Sequence, residues 1–578
     1  MSSFLRSSIG KQARVLLLST KHNGLSQRIA LELKRKNHDV EIQEVQTAEC
    51  MISAVESHRP DIIACPFLKQ TIPEAVWSRQ PCLIVHPGIA GDRGASSLDW
   101  AISEEQAEWG VTVLQAEKEL DHGLIWSTAN FPMCRPDINT LTKSSLYTNE
   151  ITNTAVNCLS EALERLCAAS ELPRILDYKQ DDIRGSLKRN MVRADRIIDW
   201  TMTDEEVALR VRMSDSAPGA IARFLNKSRD GKWVWSDQFR AFGAYLERGN
   251  LRHMRGEPGQ ILGQRDNAIL VKCGEGSIWL SHLKRSKLKL PAMDWINKSK
   301  ISDQTPILGA GQHAHLQCGQ LPETFQEIWT TLSAEGICNV NFNFYNGAMS
   351  TYQCNLLHSV LEKIEEDDQC KVIVLRGGFN FFSNGINLNT IENSNDPARE
   401  SWKNINAIND VVLRIASSKK ITISALQGNA GAGGFMMSLA SDLVVARKGV
   451  VLNPHYKLMH LFGSEYHTYF LRERLGERGA ARVLGAAEPM LAEDAADIGL
   501  IDSAMGRGAG EFEEHVRETA LTLARFPDCI KVTRRERRCN VENFQEKLDG
   551  HRATELEQMS KDFSSATYAE TRRAFVLH

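Results

Sequence analysis

A chain of 578 residues exceeds what one hydrophobic core can serve, so about two to four domains are expected. With 42% hydrophobic and 24% charged residues the composition is that of a soluble globular protein, and a formal charge of −3 gives no general attraction for nucleic acid or an anionic membrane. No apolar run approaches the roughly 18 to 20 residues that cross a bilayer, and the 13 cysteines are scattered without a CxxC pair, which argues against a metal site or a disulfide framework and for reduced thiols in a cytoplasmic protein.

In chain order, Arg6, Lys11 and Arg14, with several serines and no acid, resemble the start of an organellar presequence. The stretch is short and runs straight into a strand, so import is kept only as the alternative to the cytoplasm. "RVLLLS" is a short apolar strand, Leu25 to Arg35 has helical spacing, and "DVEIQEV" alternates as a second strand. "DIIACPF" and "PCLIVHPG" continue the strands with helical stretches between, which implies a parallel sheet covered on both faces, a doubly wound α/β layout. The first turn carries Gly24 without GxGxxG, so no dinucleotide cradle is expected. His86 falls just past a strand and is followed by Gly88, Gly91, Arg93 and Gly94; "WGVTVLQAEKELDHGLIW" then gives another strand and Asp121-His122-Gly123. On its own, a histidine so placed is more often a capping or core residue than a catalyst.

After the helical "ITNTAVNCLSEALERLCAA" come charged and turn-forming residues, then a smaller unit with helical "TDEEVALRVRMSD", Pro218-Gly219 and strands such as "AILVKCG" and "SIWLSHLKR". Prolines, glycines and histidines without periodicity then read as a linker, and "ICNVNFNFY" opens a third β-α-β unit running to "KVIVLRGG". The domains are accordingly placed at 1–185, 186–295 and 329–578, with the linker at 296–328. The tail from about 540 is amphipathic and helical, suited to packing on a core or a subunit.

Two glycine clusters in the last unit point to chemistry. "FNFFSNGINL" leaves a strand and turns at Gly385; "ALQGNAGAGGFMMSLASDLVVA" leaves another and enters a buried helix. A glycine loop entering a helix points unpaired N–H groups outward, and two such donors facing each other hold one carbonyl oxygen. Either cluster alone reads as turn glycines. Together with "LGAAEPMLAEDAADIGLIDSAM" they resemble the crotonase (enoyl-CoA hydratase/isomerase) superfamily over roughly residues 330–530. The resemblance implies a ββα superhelix and a coenzyme A thioester site whose oxyanion hole is made by the amides of Ile386 and Gly433. Gly385 and Gly434 lie beside it, and the aromatics of the first cluster are expected to wall the pocket. The positions of the hydratase glutamates fall on Met436 and Tyr456, and Asn387 replaces the aspartate of FSxGxD, so hydration loses its acid and base. "NPHYKLMHLFGSEYHTY" offers His455, Tyr456, Glu465 and His467 instead, with Tyr456 and Glu465 the candidates for a proton step.

The first half resembles the 10-formyltetrahydrofolate-dependent formyltransferases over about residues 10–300. In that family a strand-end histidine and the aspartate of DxG flank the formyl carbon; the matching residues are His86 and Asp121, with Arg93 and Gly94 as candidate substrate contacts. The family's asparagine two residues before the histidine is Ile84 here, and "GIAGD" replaces its SLLP loop, which leaves the acceptor open. "RIIDWTMTDEEVALRVRMSDSAPGA" is similar to the family's C-terminal domain, a small mixed α/β, barrel-like unit.

The combination resembles the hydrogenase maturation factors HypX (HoxX) almost end to end. That implies formyl transfer from 10-formyltetrahydrofolate to coenzyme A, then cleavage of formyl-CoA to CO and CoA, the CO becoming a ligand of [NiFe]-hydrogenase iron. Hydrogenase maturation proteins are the candidate partners. Coenzyme A would reach both sites by a swinging pantetheine arm or a channel, with Arg534, Arg535, Arg537 and Arg538 as candidate phosphate contacts, although such residues are more often the solvated face of a surface helix. The alternatives are another formyl or acyl-CoA conversion at the same sites, or a non-catalytic folate- and CoA-binding sensor. Oligomeric state is left open.

Overall fold

The computed structural model describes residues 12–168, 172–227, 230–301, 305–309, 316–317, 319–527 and 544–577. Arg6, Lys11, Arg534, Arg535, Arg537 and Arg538, singled out above, lie outside them. The chain divides into two compact units, Met1–Ile197 with Leu209–Ala220, and Ile198–Ala208 with Ile221–His578.

The first unit is built on one sheet with strands in the order Asp39–Glu44, Arg14–Ser19, Ile62–Phe67, Cys82–His86, Glu108–Gln115 and Ile125–Pro132. The first four pair parallel, and Glu108–Gln115 pairs antiparallel with both of its neighbours. The strand Arg14–Ser19 is buried on both faces, which is why it reads as an unbroken apolar run. On one face Ile29 and Leu33 of the helix Gly24–Arg35, with Leu159 and Leu163 of Thr152–Ala168, cover Val15, Leu17 and Val113. On the other, Met51 and Ala54 of Ala48–His58 cover Leu16, Leu18 and Ile63. Both crossover helices start where a side chain takes up a free N–H: Asn23 in a capping box with Ser26, and Thr47 on the amide of Cys50. The result is a doubly wound sheet, and in such sheets the carboxyl ends of the strands form the functional edge. His86 ends the fourth strand.

The second unit opens with an antiparallel sheet, ordered Ile261–Arg265, Ala268–Lys272, Ser277–Arg285, Phe239–Leu246 and Ala220–Ala222, with Leu288–Pro291 paired to Ser277–Arg285. Part of the stretch read as a linker is pinned to this sheet. The Arg265 guanidinium donates to the carbonyls of Leu308, Gly309 and Phe325 and to Thr324 Oγ1, and the Phe325 ring lies against Trp279 and Tyr245. An arginine collecting main-chain carbonyls holds a segment that has no periodicity of its own.

Beyond it, a seven-stranded sheet and a four-stranded sheet share one core. Successive strands alternate between them. Val372–Gly377, Ile421–Leu426 and Leu443–Arg447 lie in the first sheet, and each is followed by a strand of the second, Phe381–Ser383, Asn429–Gly431 and Val451–Asn453. Helices then return the chain, giving the ββα superhelix. Of the aromatics expected to wall a pocket, Phe382 is 1% exposed and stands edge-on to Phe342, so it fills the core instead. The C-terminal helices Phe544–Phe563 and Ala566–Leu577 send Leu548, Met559, Phe563 and Tyr568 into that same core. Among the described residues no helix is long and apolar enough to cross a membrane.

Leu548→Ala is expected to cost ~2 to 5 kcal/mol through the cavity it leaves under the first C-terminal helix, visible as a lowered midpoint in thermal or denaturant unfolding.

Candidate active sites

At the strand end of the first unit, His86 is 4% exposed and its two ring nitrogens face two carboxylates. Nε2 lies 2.8 Å from Asp92 Oδ2, and Nδ1 lies 3.6 Å from Asp121 Oδ2. Asp92 belongs to the "GIAGD" loop, and the chain fixes that loop from both sides. The Pro87 carbonyl accepts from Ser97 Oγ and Trp109 Nε1, and the Gly88 carbonyl accepts from Thr112 Oγ1. The segment 185–188 clasps the loop through Gly185 N to Ala90 O, Arg93 N to Ser186 O and Lys188 N to Arg93 O. Asp121 sits in a left-handed turn with φ +52° and accepts from the Gly94 amide at 3.3 Å.

Arg93 and Gly94 therefore serve the Asp121 turn: Arg93 Nε donates to the Leu120 carbonyl at 3.0 Å and its guanidinium lies 3.6 Å from Glu119. Burial alone would push the His86 pKa down, but the Asp92 hydrogen bond and the charges of Asp121 and Asp92 outweigh it and leave the pKa raised. The two carboxylates favour the protonated form of the ring. Asp92 was not legible as a site residue, because an acid in a glycine-rich loop reads as a turn former.

In the second unit the two glycine turns meet. Ser383 pairs with Ala430 in the smaller sheet, which sets the chain after each strand beside the other. Gly385, at φ +78°, is so close to the second turn that a β-carbon on it would lie 3.2 Å from Gly433 N. Gly434 packs on the Ser383 main chain, where a β-carbon would lie 2.2 Å from the carbonyl carbon. Ile386 pairs with Met349, and Asn387 then caps the next helix by accepting from the amides of Asn389 and Thr390, a task asparagine performs as well as the family's aspartate. Gly433 is the second residue of the helix Ala432–Ser438, so its N–H has no acceptor within the helix. Ala432 before it is held at φ +44°, a left-handed strain of the kind that persists where surroundings fix it.

The Glu465 carboxyl occupies the place of the missing side chain at Gly433, where a β-carbon would lie 2.0 Å from Glu465 Oε1. Its other oxygen lies 2.8 Å from the Tyr456 hydroxyl and accepts from Ser464 N at 3.1 Å. Burial lifts the Glu465 pKa to about 7, with the charge of Glu555 adding and the bonds from Tyr456 and Ser464 opposing. Burial and Glu465 together push Tyr456 well above the usual phenol range. His467 is drawn down to about 4 by burial and remains neutral, and its Nδ1 lies 3.1 Å from the Ser464 carbonyl. Met436 is buried in the core and His455 is largely buried beside Tyr456. The structure thus brings Gly385, Gly433, Gly434, Tyr456 and Glu465 together, and it adds Asn409 and Glu555, which the sequence did not single out.

A formyltransferase-type strand-end histidine with its aspartates in one unit, and a crotonase superhelix with meeting glycine turns in the other, define a formyl-transfer enzyme fused to a thioester-type fold. Family models agree: Formyl transferase matches residues 13–163, Formyl transferase, C-terminal domain, matches 190–300, and Enoyl-CoA hydratase/isomerase matches 333–576. The hydrogenase maturation factor HoxX of Bradyrhizobium diazoefficiens is 34% identical over 95% of this chain and 92% of its own. The crystal structure of HypX from Aquifex aeolicus in complex with tetrahydrofolic acid matches with a TM-score of 0.86 and 36% identity, over 98% of this chain and 96% of that one. A methionyl-tRNA formyltransferase of Geobacter sulfurreducens is 26% identical over 48% of this chain and 83% of its own. The chain belongs to the HypX/HoxX family of hydrogenase maturation factors.

Asp92→Asn removes one of the two charges that hold the imidazolium, so His86 should titrate at lower pH than in the parent protein, as followed by NMR of the ring. Gly433→Ala places a methyl group on the Glu465 carboxyl and should displace it, measured as a fall of the Glu465 pKa toward the ordinary carboxylate range.

Proposed function

We propose that the protein transfers a formyl group from 10-formyltetrahydrofolate to coenzyme A and then splits formyl-CoA into CO and CoA, supplying the CO ligand of a [NiFe]-hydrogenase. The observation that carries this reading is the Tyr456–Glu465 pair seated on Gly433, with Tyr456 at the position of one hydratase glutamate and Met436 at that of the other. In the first step the His86 imidazolium donates to the formyl oxygen, Asp92 and Asp121 hold it charged, and the thiol sulfur attacks the formyl carbon. The carbon–nitrogen bond to the folate breaks, and the thiol proton passes to that nitrogen by way of Asp121. In the second step the amides of Ile386 and Gly433 hold the thioester oxygen. Glu465 takes the formyl proton, the carbon–sulfur bond breaks, CO departs and the proton is returned to the sulfur. Tyr456 hydrogen-bonds the carboxyl that moves the proton. The folate of the solved Aquifex aeolicus complex supports the donor, and the crotonase-like fold supports the acceptor.

The test is to incubate purified protein with 10-formyltetrahydrofolate and CoA and to trap CO with haemoglobin. CO in proportion to folate consumed is expected; formyl-CoA that accumulates without CO refutes the second step, and neither product supports the sensor alternative. Tyr456→Phe and Glu465→Gln should lower CO release by at least about 100-fold while sparing formyl transfer. His86→Ala should do the reverse with supplied formyl-CoA. Because Glu465 acts as a base and its carboxyl titrates near pH 7, CO release from supplied formyl-CoA should rise as the pH passes upward through about 7.

A further inference from the structure

Glu465 and Tyr466 are both left-handed, at φ +61° and +57°, in a stretch with no glycine between Gly463 and the helix that follows. Such a turn persists only if something outside it fixes its amides. Two buried side chains do so. Asn409 of the helix Pro397–Ala416 accepts from Glu465 N at 2.9 Å and donates from Nδ2 to Ser464 Oγ at 2.8 Å. Glu555, fully buried on the helix Phe544–Phe563, takes the rest. Its Oε2 accepts from Tyr466 N at 2.9 Å and from Ser464 Oγ at 3.3 Å. Its Oε1 accepts from Thr468 N at 2.8 Å and Thr468 Oγ1 at 2.6 Å, with His467 Nδ1 at 3.3 Å. Each oxygen serves a main-chain N–H, a demand that a carboxylate meets and an amide does not, since a glutamine in either orientation sets its NH₂ against one of those donors.

We propose that Glu555 is the positioning residue of the thioester site: its carboxylate, delivered by the C-terminal helix, locks the Ser464–Thr468 turn so that the Glu465 carboxyl stays on Gly433 and Tyr456. Its charge acts on Glu465 as well, because a carboxylate held beside a second carboxyl favours the protonated form of that second group. Among the described residues the other ionisable groups around the pair include Tyr456, Tyr466, Cys354, His467, Arg472, His551 on Thr468 Oγ1, and the Asp410–Arg552 ion pair. Tyr456, Tyr466 and Cys354 are pushed up and His467 and His551 down, while burial lifts Glu555, like Glu465, to about 7, so the two carboxyls change charge near neutral pH. The inference rests on the CO-releasing reading for its kinetic readout and is independent of it for its structural one.

The experiment compares Glu555→Gln and Glu555→Asp with the parent full-length protein. With supplied formyl-CoA, Glu555→Gln should lower kcat for CO release about 100-fold with little change in KM, as an ångström-scale misplacement does. The acidic limb of its pH profile should move to lower pH, because the neighbouring negative charge is gone. Glu555→Asp keeps the charge, so its limb should stay in place and part of the kcat should return. Loss of kcat with an unmoved limb in Glu555→Gln, or an aspartate variant no better than the glutamine one, overturns the proposal. Hydrogen exchange at the Tyr466 and Thr468 amides gives the second measurement, valid whether or not the parent protein releases CO. Both amides should be protected in the parent and the aspartate variant and exposed in Glu555→Gln; unchanged protection there overturns the proposal. Absence of CO from the parent, with both amides released in Glu555→Gln, refutes the CO reading alone and leaves the positioning role standing.

Discussion

The second site depends on a carboxyl group standing where a β-carbon would be. Gly433 has no side chain, and the Glu465 carboxyl fills that space against the first turn of a helix whose leading N–H groups have no acceptor within the helix. Nothing local would keep it there. Two consecutive non-glycine residues in the left-handed region cost ~1 to 3 kcal/mol each, and removing a carboxyl from water adds to that. The offset comes from elsewhere in the chain: Asn409 from one helix and Glu555 from another supply acceptors to the turn's amides. Met559 and Asp562 of that second helix accept from the amides of Gly463 and Phe462 just ahead of it. The C-terminal helix is thus part of the site's frame as much as of the hydrophobic core.

The two sites use neighbouring acids to opposite ends. Around His86 the acids are close enough to outweigh burial, so the protonated ring is favoured. Around Glu465 burial dominates and a second buried carboxyl reinforces it, so the group sits near neutrality rather than as a fixed anion. A ring whose protonated form is favoured suits stabilising charge that develops on a carbonyl oxygen. A carboxyl poised near neutral pH suits taking up and giving back a proton. The division of labour between the halves follows from which contribution wins at each histidine or glutamate.

Much of this was legible in the sequence where a residue's role is set by its own neighbours. Apolar runs marked the buried strands, glycines marked the turns that meet, and the strand-end position of His86 with the DxG aspartate marked the first site. What was not legible depends on distant partners. Asp92 sits in the one loop that departs from the formyltransferase pattern, and only the folded loop turns its carboxylate onto Nε2. Glu555 lies on a helix whose charged residues look like a solvated face, yet that face carries the one carboxylate that is wholly buried. Phe382, read with its aromatic neighbours as pocket wall, belongs to the core because the strand Phe381–Ser383 turns alternate side chains inward. Between the middle and last domains, Leu308, Gly309 and Phe325 are held by Arg265 rather than by any periodic pattern of their own.

The loss of both hydratase glutamates then has a physical reading. Adding water across a double bond needs one group to activate the water and another to protonate carbon, so two carboxyls must face the substrate at once. Releasing CO from a formyl thioester needs neither a water nor an α-carbon, and the proton taken from carbon is the one the departing sulfur requires. In the proposed reaction a single carboxyl serves both ends of that transfer, provided it is not locked as an anion. Met436 can therefore belong to the core, where it is fully buried. Tyr456 can stand in the other glutamate's place, its hydroxyl steadying a carboxyl that comes from a later turn of the chain. Moving the acid from the positions of Met436 and Tyr456 to a left-handed turn makes its geometry depend on the C-terminal helix, whose Glu555 accepts from the amides of Tyr466 and Thr468.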